Sequence, residues 1–397
     1  MLSRNTTQTI FSKFIILLAN FGLVVFTTRI WGSEGRGEIA LVIANVSIIS
    51  IFSNILCGST VAYHAPRIQR NSLLSMSLAG ALIFSLCGAL IFSFLFGFRY
   101  FLPLSLIAFL LSVTTSFSSY WLGINKITNY NLLTLLAPLL ILATLLAFYF
   151  IFRITSLNAI YLAYYSGICI ALIFAVAILS KQEAFNAPEM NFLAVKSVLK
   201  YGINNELNSF LQFLNYRLSY YFIIKLLGIS DLGIFSVAVA VSEAVWIISR
   251  SMSAVHFSNV INSGDPIKNR KETVAFAKQS LLISLILLTV AVLLPETVYR
   301  LVFGEEFGDV KKLIMYLIPG VVAISVSNLF GHYFAGSGKL RVLTYKSLIG
   351  LAATLIILPF LIKKYQLTGV CIALNVSYIL SSLYLWLTFR KEKNLTN

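Results

Sequence analysis

The chain has 397 residues, 58% of them hydrophobic and only 11% charged, with a formal net charge of +16. A soluble protein of this length cannot hide so much apolar surface, so the composition excludes a soluble enzyme and predicts an all-α polytopic membrane protein. A transmembrane β-barrel is excluded because its strands alternate over about ten residues, whereas these apolar runs are as long as the ~20 residues a spanning helix needs. The basic residues lie between apolar runs rather than in one patch, which argues against a nucleic-acid partner.

Taken in order, the chain contains twelve candidate spans: 10–30, 38–62, 72–96, 101–121, 130–152, 157–179, 202–226, 232–256, 274–295, 312–335, 343–362 and 368–389. The first apolar run, Ile10 to Ile30, is too long for a signal-peptide core. No A-x-A-like cleavage site follows it, so it is expected to remain as the first span. Lys and Arg number 19 in the segments on the N-terminal side of the membrane and 10 in those on the other, with Arg217 inside a span. That bias predicts both termini in the cytoplasm. The polar stretch Lys181–Lys200 is expected to be a cytoplasmic linker carrying an interfacial helix, between an N-terminal six-helix lobe (1–180) and a C-terminal one (201–397). Cys57, Cys87, Cys169 and Cys371 sit in apolar runs without paired spacing and read as packing residues.

A weak internal echo links the two halves. WGSEGRGEIALVIANV (Trp31–Val46) parallels LGISDLGIFSVAVAVS (Leu227–Ser242), with Gly32 matching Gly228 and Gly37 matching Gly233 at a constant offset of 196. Turns between helices often contain glycine, so chance is one explanation. Duplication is the other, and it predicts parallel repeats about an axis along the membrane normal, with a site at their interface.

No catalytic constellation is present. His64, His256 and His332 are scattered, and neither H-E-x-x-H, C-x-x-C nor G-x-S-x-G occurs. GHYFAGSGKL (Gly331–Leu340) fails the phosphate-loop spacing and follows a span rather than a strand. The expectation is a protein that is not an enzyme and uses no cofactor or metal.

The informative charges lie inside spans. In Tyr201–Gly228, Asn204, Asn208, Gln212, Asn215 and Ser219 share one side at 100° per residue, and Glu206 and Arg217 share the other. A mid-membrane guanidinium costs about 2.5–3.5 kcal/mol on insertion scales, so this helix is expected to line a wet cavity. Glu206 and Arg217 are ~16 Å apart along the helix, too far to pair, so each needs a partner elsewhere or water. The plainer alternative is a structural ion pair between helices. In span 8, Glu243 and Arg250 share a face with Trp246 but stand ~10 Å apart. Arg250 reads equally well as a residue snorkelling to the inner leaflet. Arg67, Arg70, Tyr120 and Trp121 are explained by topology and the interfacial aromatic belt. Arginine forks suit phosphates, and amide and aromatic side chains suit sugars. A cavity with Arg217, Arg250, asparagines and Tyr216, Tyr220 and Tyr221 would therefore suit an anionic, sugar-bearing lipid.

Several segments carry a family resemblance. RIWGSEGRGEIAL resembles the turn after span 1 of polysaccharide flippases, and WLGINKITNYNLL their segment after span 4. Leu199–Val260 resembles their span 7–8 block, and FGEEF (Phe303–Phe307) and Ile318–Gly320 also fit. The chain thus resembles Wzx-type flippases of the MOP superfamily, which also holds the MATE multidrug exporters and lipid II flippases. It departs at Leu218-Ser219, where relatives often carry an acid. The resemblance implies two six-helix lobes in a MATE-like V around a cationic cavity. It also implies movement of an undecaprenyl-diphosphate-linked oligosaccharide across a bacterial inner membrane by alternating access, with a polysaccharide polymerase and a chain-length regulator as partners beside the membrane lipids. In that setting Arg217 and Arg250 would attract the diphosphate. Asn208, Gln212, Asn215 and Tyr220 would meet the substrate, and Glu206 and Glu243 would balance charge or accept a proton. The alternatives are a MATE-like cation-coupled exporter of small amphipathic compounds, which would favour acidic cavity residues, and a membrane-bound polymerase or glycosyltransferase, for which no connection is long enough.

Overall fold

A computed structural model describes residues 4–180, 192–263 and 265–393. The helices are α1 (Arg4–Ser53), α2 (Gly58–His64), α3 (Arg70–Phe96), α4 (Phe101–Gly123), α5 (Ile127–Phe150), α6 (Asn158–Ser180), α7 (Phe192–Leu226), α8 (Ile229–Ser263), α9 (Pro266–Leu293), α10 (Glu296–Phe303), α11 (Val310–Gly336) and α12 (Leu340–Lys393). Among the described residues there is no strand.

All twelve expected spans are accounted for. Among the described residues, nine helical stretches are long and apolar enough to cross a membrane. Two of these, Phe11–His64 and Leu340–Glu392, are 54 and 53 residues long, more than twice what one crossing needs. Each holds two spans joined at a residue with non-helical backbone, Gly32 (φ 60, ψ −160) and Gln366 (φ 50, ψ −134). The twelfth is α7, whose polar residues make it less apolar than those nine. Much of the expected linker, 181–191, lies outside the described residues. Its remainder is the first turns of α7, which run without a break into span 7.

The contacts divide the chain into two compact units. One comprises Met1–Leu23 with Leu41–Phe210, the other Val24–Ala40 with Leu211–Asn397. The division passes through two helices, so α1 and α7 each contribute to both units.

The same backbone turns recur in the same order along both halves of the sequence. Positive φ pairs Gly32 with Gly228, Gly97 with Gly304 ahead of a short 3-10 turn, Asn125 with Gly338, and Arg153 with Gln366, while Gly58 stands outside these pairs. The third pair closes α4 and α11 with one hydrogen-bond pattern. Lys126 N donates to Trp121 O (2.8 Å) and Asn125 N to Leu122 O (3.1 Å), while Lys339 N donates to Phe334 O (2.9 Å) and Gly338 N to Ala335 O (3.1 Å). This is the Schellman arrangement, which satisfies otherwise orphaned carbonyls at a helix end. Trp121 and Phe334 head these turns and are both fully buried. Each anchors the apolar cluster of its own unit, Trp121 with Val61 and Leu73, Phe334 with Leu329 and Leu385.

The glycine echo has a packing cause. A methyl group on Gly37 would lie 1.9 Å from the carbonyl oxygen of Ile229, and one on Gly233 would lie 1.9 Å from that of Ser33. Ile229 is the offset-196 counterpart of Ser33, so the contact is reciprocal. Each helix start presents a bare Cα–H to the other's turn carbonyl, a close approach that only glycine allows. Ser33 Oγ and Ser230 Oγ share a 2.6 Å hydrogen bond beside it. Glu306 Oε2 accepts from Ser33 N at 2.7 Å, tying the 3-10 turn Glu305–Phe307 to the same corner.

Gln366 holds a backbone conformation that only glycine adopts without strain. Gln366→Gly is expected to stabilise the protein by about 1 kcal/mol, read as a raised thermal unfolding midpoint in detergent. An unchanged or lowered midpoint would count against strain at this turn.

Candidate functional site

Two polar clusters stand out, one in each unit, both built on α7. In the second unit, Arg217 on α7 meets Glu243 on α8 fork to fork. Its Nη1 donates to Oε1 and its Nη2 to Oε2, both at 2.7 Å. The partner that spacing required of Arg217 is therefore Glu243. The pair is not sealed, because the two side chains are 24% and 25% exposed. The guanidinium lies 5.1 Å from the centre of the Tyr220 ring. Tyr216, Trp246 and Tyr378 form an aromatic wall beside it, with centroids 5.4–6.1 Å apart. Bidentate geometry makes this the strongest form of ion pair and leaves the site without net charge. An incoming phosphate would have to compete with Glu243 for the fork.

The other residues expected here are spread out. Gln212 is exposed and donates to the Tyr216 hydroxyl (3.0 Å). Tyr220 is buried, edge-on to Phe235 at 6.0 Å. Asn215 is buried against α12, where Ser377 Oγ donates to its Oδ1 (2.7 Å) and a side chain on Gly350 would collide with its amide. It works as a helix-to-helix clamp, so the polar side of α7 does not face one lumen along its whole length. Asn208 is half-buried. The side chains of Arg250 and Asn204 lie outside the described residues.

In the first unit, Glu206 is buried, and its hydrogen-bond partners among the described residues are neutral. Asn205 Nδ2 donates to its Oε1 at 2.8 Å, and Ser59 Oγ does so at 3.3 Å. Asn205 also donates to Ser59 Oγ (2.7 Å). α7 comes close enough to make these contacts because residue 202 is glycine; a methyl group there would lie 1.9 Å from the carbonyl of Ile55. Nearby, Tyr63 and Tyr201 stack at 4.2 Å with rings 11° from parallel, and His64 meets both edge-on. Arg67 lies over the Tyr63 ring at 4.2 Å.

The tyrosine stack lines a cleft of about 510 Å³ together with Thr115, Ser118 and Ser119 of α4 and Thr134 of α5. Thr115 and Thr134 donate back to the carbonyls of Leu111 (2.8 Å) and Tyr130 (2.9 Å), and Ser118 to that of Thr115 (3.0 Å). A hydroxyl that spends its proton on its own helix offers only lone pairs to the cleft, so this surface is rich in acceptors. Sequence reasoning missed it. The available signal was Thr115, Ser118, Ser119 and Leu122 at i, i+3, i+4 and i+7, a hydroxyl stripe on one face of an apolar span. Arg36, counted among the connection charges, is also buried, its Nε donating to Ser236 Oγ at 3.1 Å.

Among solved structures, the chain is similar to an inward-facing multidrug resistance MATE family transporter of the MOP superfamily, at TM-score 0.77 and 15% identity over 95% of this chain and 94% of that one. The chain has the MATE transporter fold. A Vibrio cholerae MATE transporter matches at TM-score 0.69 and 15% identity, covering 98% and 95% of the two chains. A eukaryotic MATE transporter matches at 0.66 and 14%, covering 97% and 95%. No protein-family model matches the sequence, and no curated protein does. The MATE likeness, together with the apolar helices, makes this an all-α multi-pass membrane protein of two six-helix lobes. The MATE fold is thereby established at an identity too low to carry a substrate with it.

Proposed function

We propose that the protein is a flippase that moves an undecaprenyl-diphosphate-linked oligosaccharide from the cytoplasmic to the periplasmic leaflet of a bacterial inner membrane by alternating access. The observation that supports this most directly is the acceptor-rich, tyrosine-walled cleft of the first unit. Sugars present many hydroxyl donors and apolar ring faces, which match lone pairs and aromatic surfaces respectively. Glu206, Asn205 and Ser59 stand beside it as further acceptors and donors. Arg217 then serves as the diphosphate fork, exchanging Glu243 for phosphate when substrate enters. Both termini lie in the cytoplasm on this reading.

The test is transport of a fluorescent polyprenyl-diphosphate oligosaccharide in proteoliposomes. Tyr201→Ala is expected to lower its rate about tenfold, the equivalent of one lost aromatic contact of ~1.4 kcal/mol. An unchanged rate, with equal protein inserted, removes the cleft from the mechanism.

A second reading, a cation-coupled exporter of small amphipathic compounds, is favoured by Glu206 itself. A buried carboxylate held by neutral donors is suited to taking up a proton or a cation. Drug sensitivity on gene deletion, with surface polysaccharide intact, would select that reading.

A further inference from the structure

A third feature lies away from both clusters. At the end of the second unit that carries the C-terminus, α9, α11 and α12 enclose a cavity of about 1000 Å³. Four cations line it, Arg270, Lys271 and Lys278 from α9 and Arg390 from α12. A fifth, Lys339, is already bound to Glu392 at 2.7 Å, and Tyr333 donates to the same carboxylate at 3.2 Å. Among the described residues, none of the other four cations has a carboxylate within ion-pair distance. The cavity therefore carries an uncompensated positive charge.

Two of these cations are held in place. The Arg270 guanidinium lies 4.1 Å above the Phe389 ring, and that of Arg390 lies 4.7 Å above the Trp386 ring. Stacking on an aromatic face fixes the plane of a guanidinium while leaving its N–H groups free to bind an anion. Below them the lining changes character. On one face of α9, Arg270 is followed at helical spacing by Val274, Ala277, Lys278 and Leu281, a face that is apolar apart from Lys278. Val274 and Leu281 are exposed, and the outer face of α9 continues as exposed Leu282, Leu285 and Ile286. Arg270, Lys271 and Arg390 thus sit at the mouth, and a largely apolar channel, interrupted by Lys278, runs from them toward the middle of the span. That order of polarity matches a phospholipid and does not match a water-soluble phosphate, which has nothing to place against the leucines.

We infer that this cavity is a binding site for an anionic glycerophospholipid, with Arg270 and Arg390 gripping the phosphate and an acyl chain lying along Val274 and Leu281. Basic pockets between membrane helices hold acidic headgroups in this way. The lysine–arginine bias of the sequence puts the site in the cytoplasmic leaflet. It is independent of the transported substrate, because none of its residues belongs to either cluster described above.

The experiment is lipid retention by the full-length protein, purified in dodecyl maltoside and examined by native mass spectrometry after incubation with phosphatidylglycerol, cardiolipin or phosphatidylcholine. The expected result is retention of the two anionic lipids and not of phosphatidylcholine, with a loss of about tenfold in the Arg270→Gln/Arg390→Gln double variant. Arg390→Lys should keep most of the binding, and a Lys363→Gln/Lys364→Gln control should keep all of it. If the double variant does not fold, the wild-type protein still decides. Its melting midpoint should rise with phosphatidylglycerol and not with phosphatidylcholine. Equal retention by wild type and double variant, an equal rise with both lipids, or displacement of the phospholipid by an equimolar polyprenyl diphosphate would each overturn the assignment.

Discussion

Arg217→Ala is expected to abolish transport and to destabilise the protein by about 3 kcal/mol. The reason lies in what it leaves behind. Glu243 would be left in a site only a quarter exposed, without the fork that neutralises it. Removing one member of an ion pair away from bulk water costs more than the pair itself contributes. Replacing both members, as Arg217→Met with Glu243→Leu, should recover most of the lost stability, since an apolar pair of similar volume is tolerated there. Transport should not recover. Thermal unfolding in detergent and flux in proteoliposomes, measured on the single and double variants, separate the two effects. If the double variant transported at the wild-type rate, the pair would be purely structural and the diphosphate fork would have to be sought elsewhere.

Gly233→Ala carries the second large effect. The added methyl group would lie 1.9 Å from the Ser33 carbonyl oxygen and 3.0 Å from Gly37 N, and both are backbone atoms that cannot rotate aside. The helix starts must separate, which breaks the neighbouring Ser33–Ser230 and Arg36–Ser236 hydrogen bonds. A loss of about 3 kcal/mol is expected, the upper end for overpacking. Gly228→Ala is the control. A methyl there meets nothing within 4 Å and is opposed only by φ 115, so its cost should be nearer 1 kcal/mol. Equal midpoint shifts for the two variants would mean that the close approach contributes nothing.

Particular residues show how far the sequence could be read. The spans were legible because hydropathy over twenty residues is a one-dimensional signal, and α1 and α12 lose nothing by each holding two of them. Arg217 was legible as a charge in need of a partner. The partner itself was not, because the register of α7 against α8 is a lateral relation that spacing within one helix does not encode. The wheel placed Asn215 beside Gln212 correctly, yet Gln212 is exposed while Asn215 bonds to Ser377, 162 residues further on. Angular position says which side a residue occupies and nothing about what that side meets. The α4 hydroxyls were passed over because serine and threonine inside membrane helices usually do no more than bond to their own backbone. Thr115 and Ser118 do so too, and that habit is what leaves their lone pairs facing the cleft.

The reciprocal contact at Gly37 and Gly233 has the form of an interface between two identical molecules, written within one polypeptide. In a true homodimer, every neighbour of that contact would have to fit its own mirror image. Within one polypeptide that obligation is absent. Arg36 reaches Ser236, whereas the positions that would mirror them, Leu232 and Ala40, are both apolar and both buried. The glycines kept their symmetry because the backbone leaves them no choice. One residue further out, the two segments already differ in what they bind.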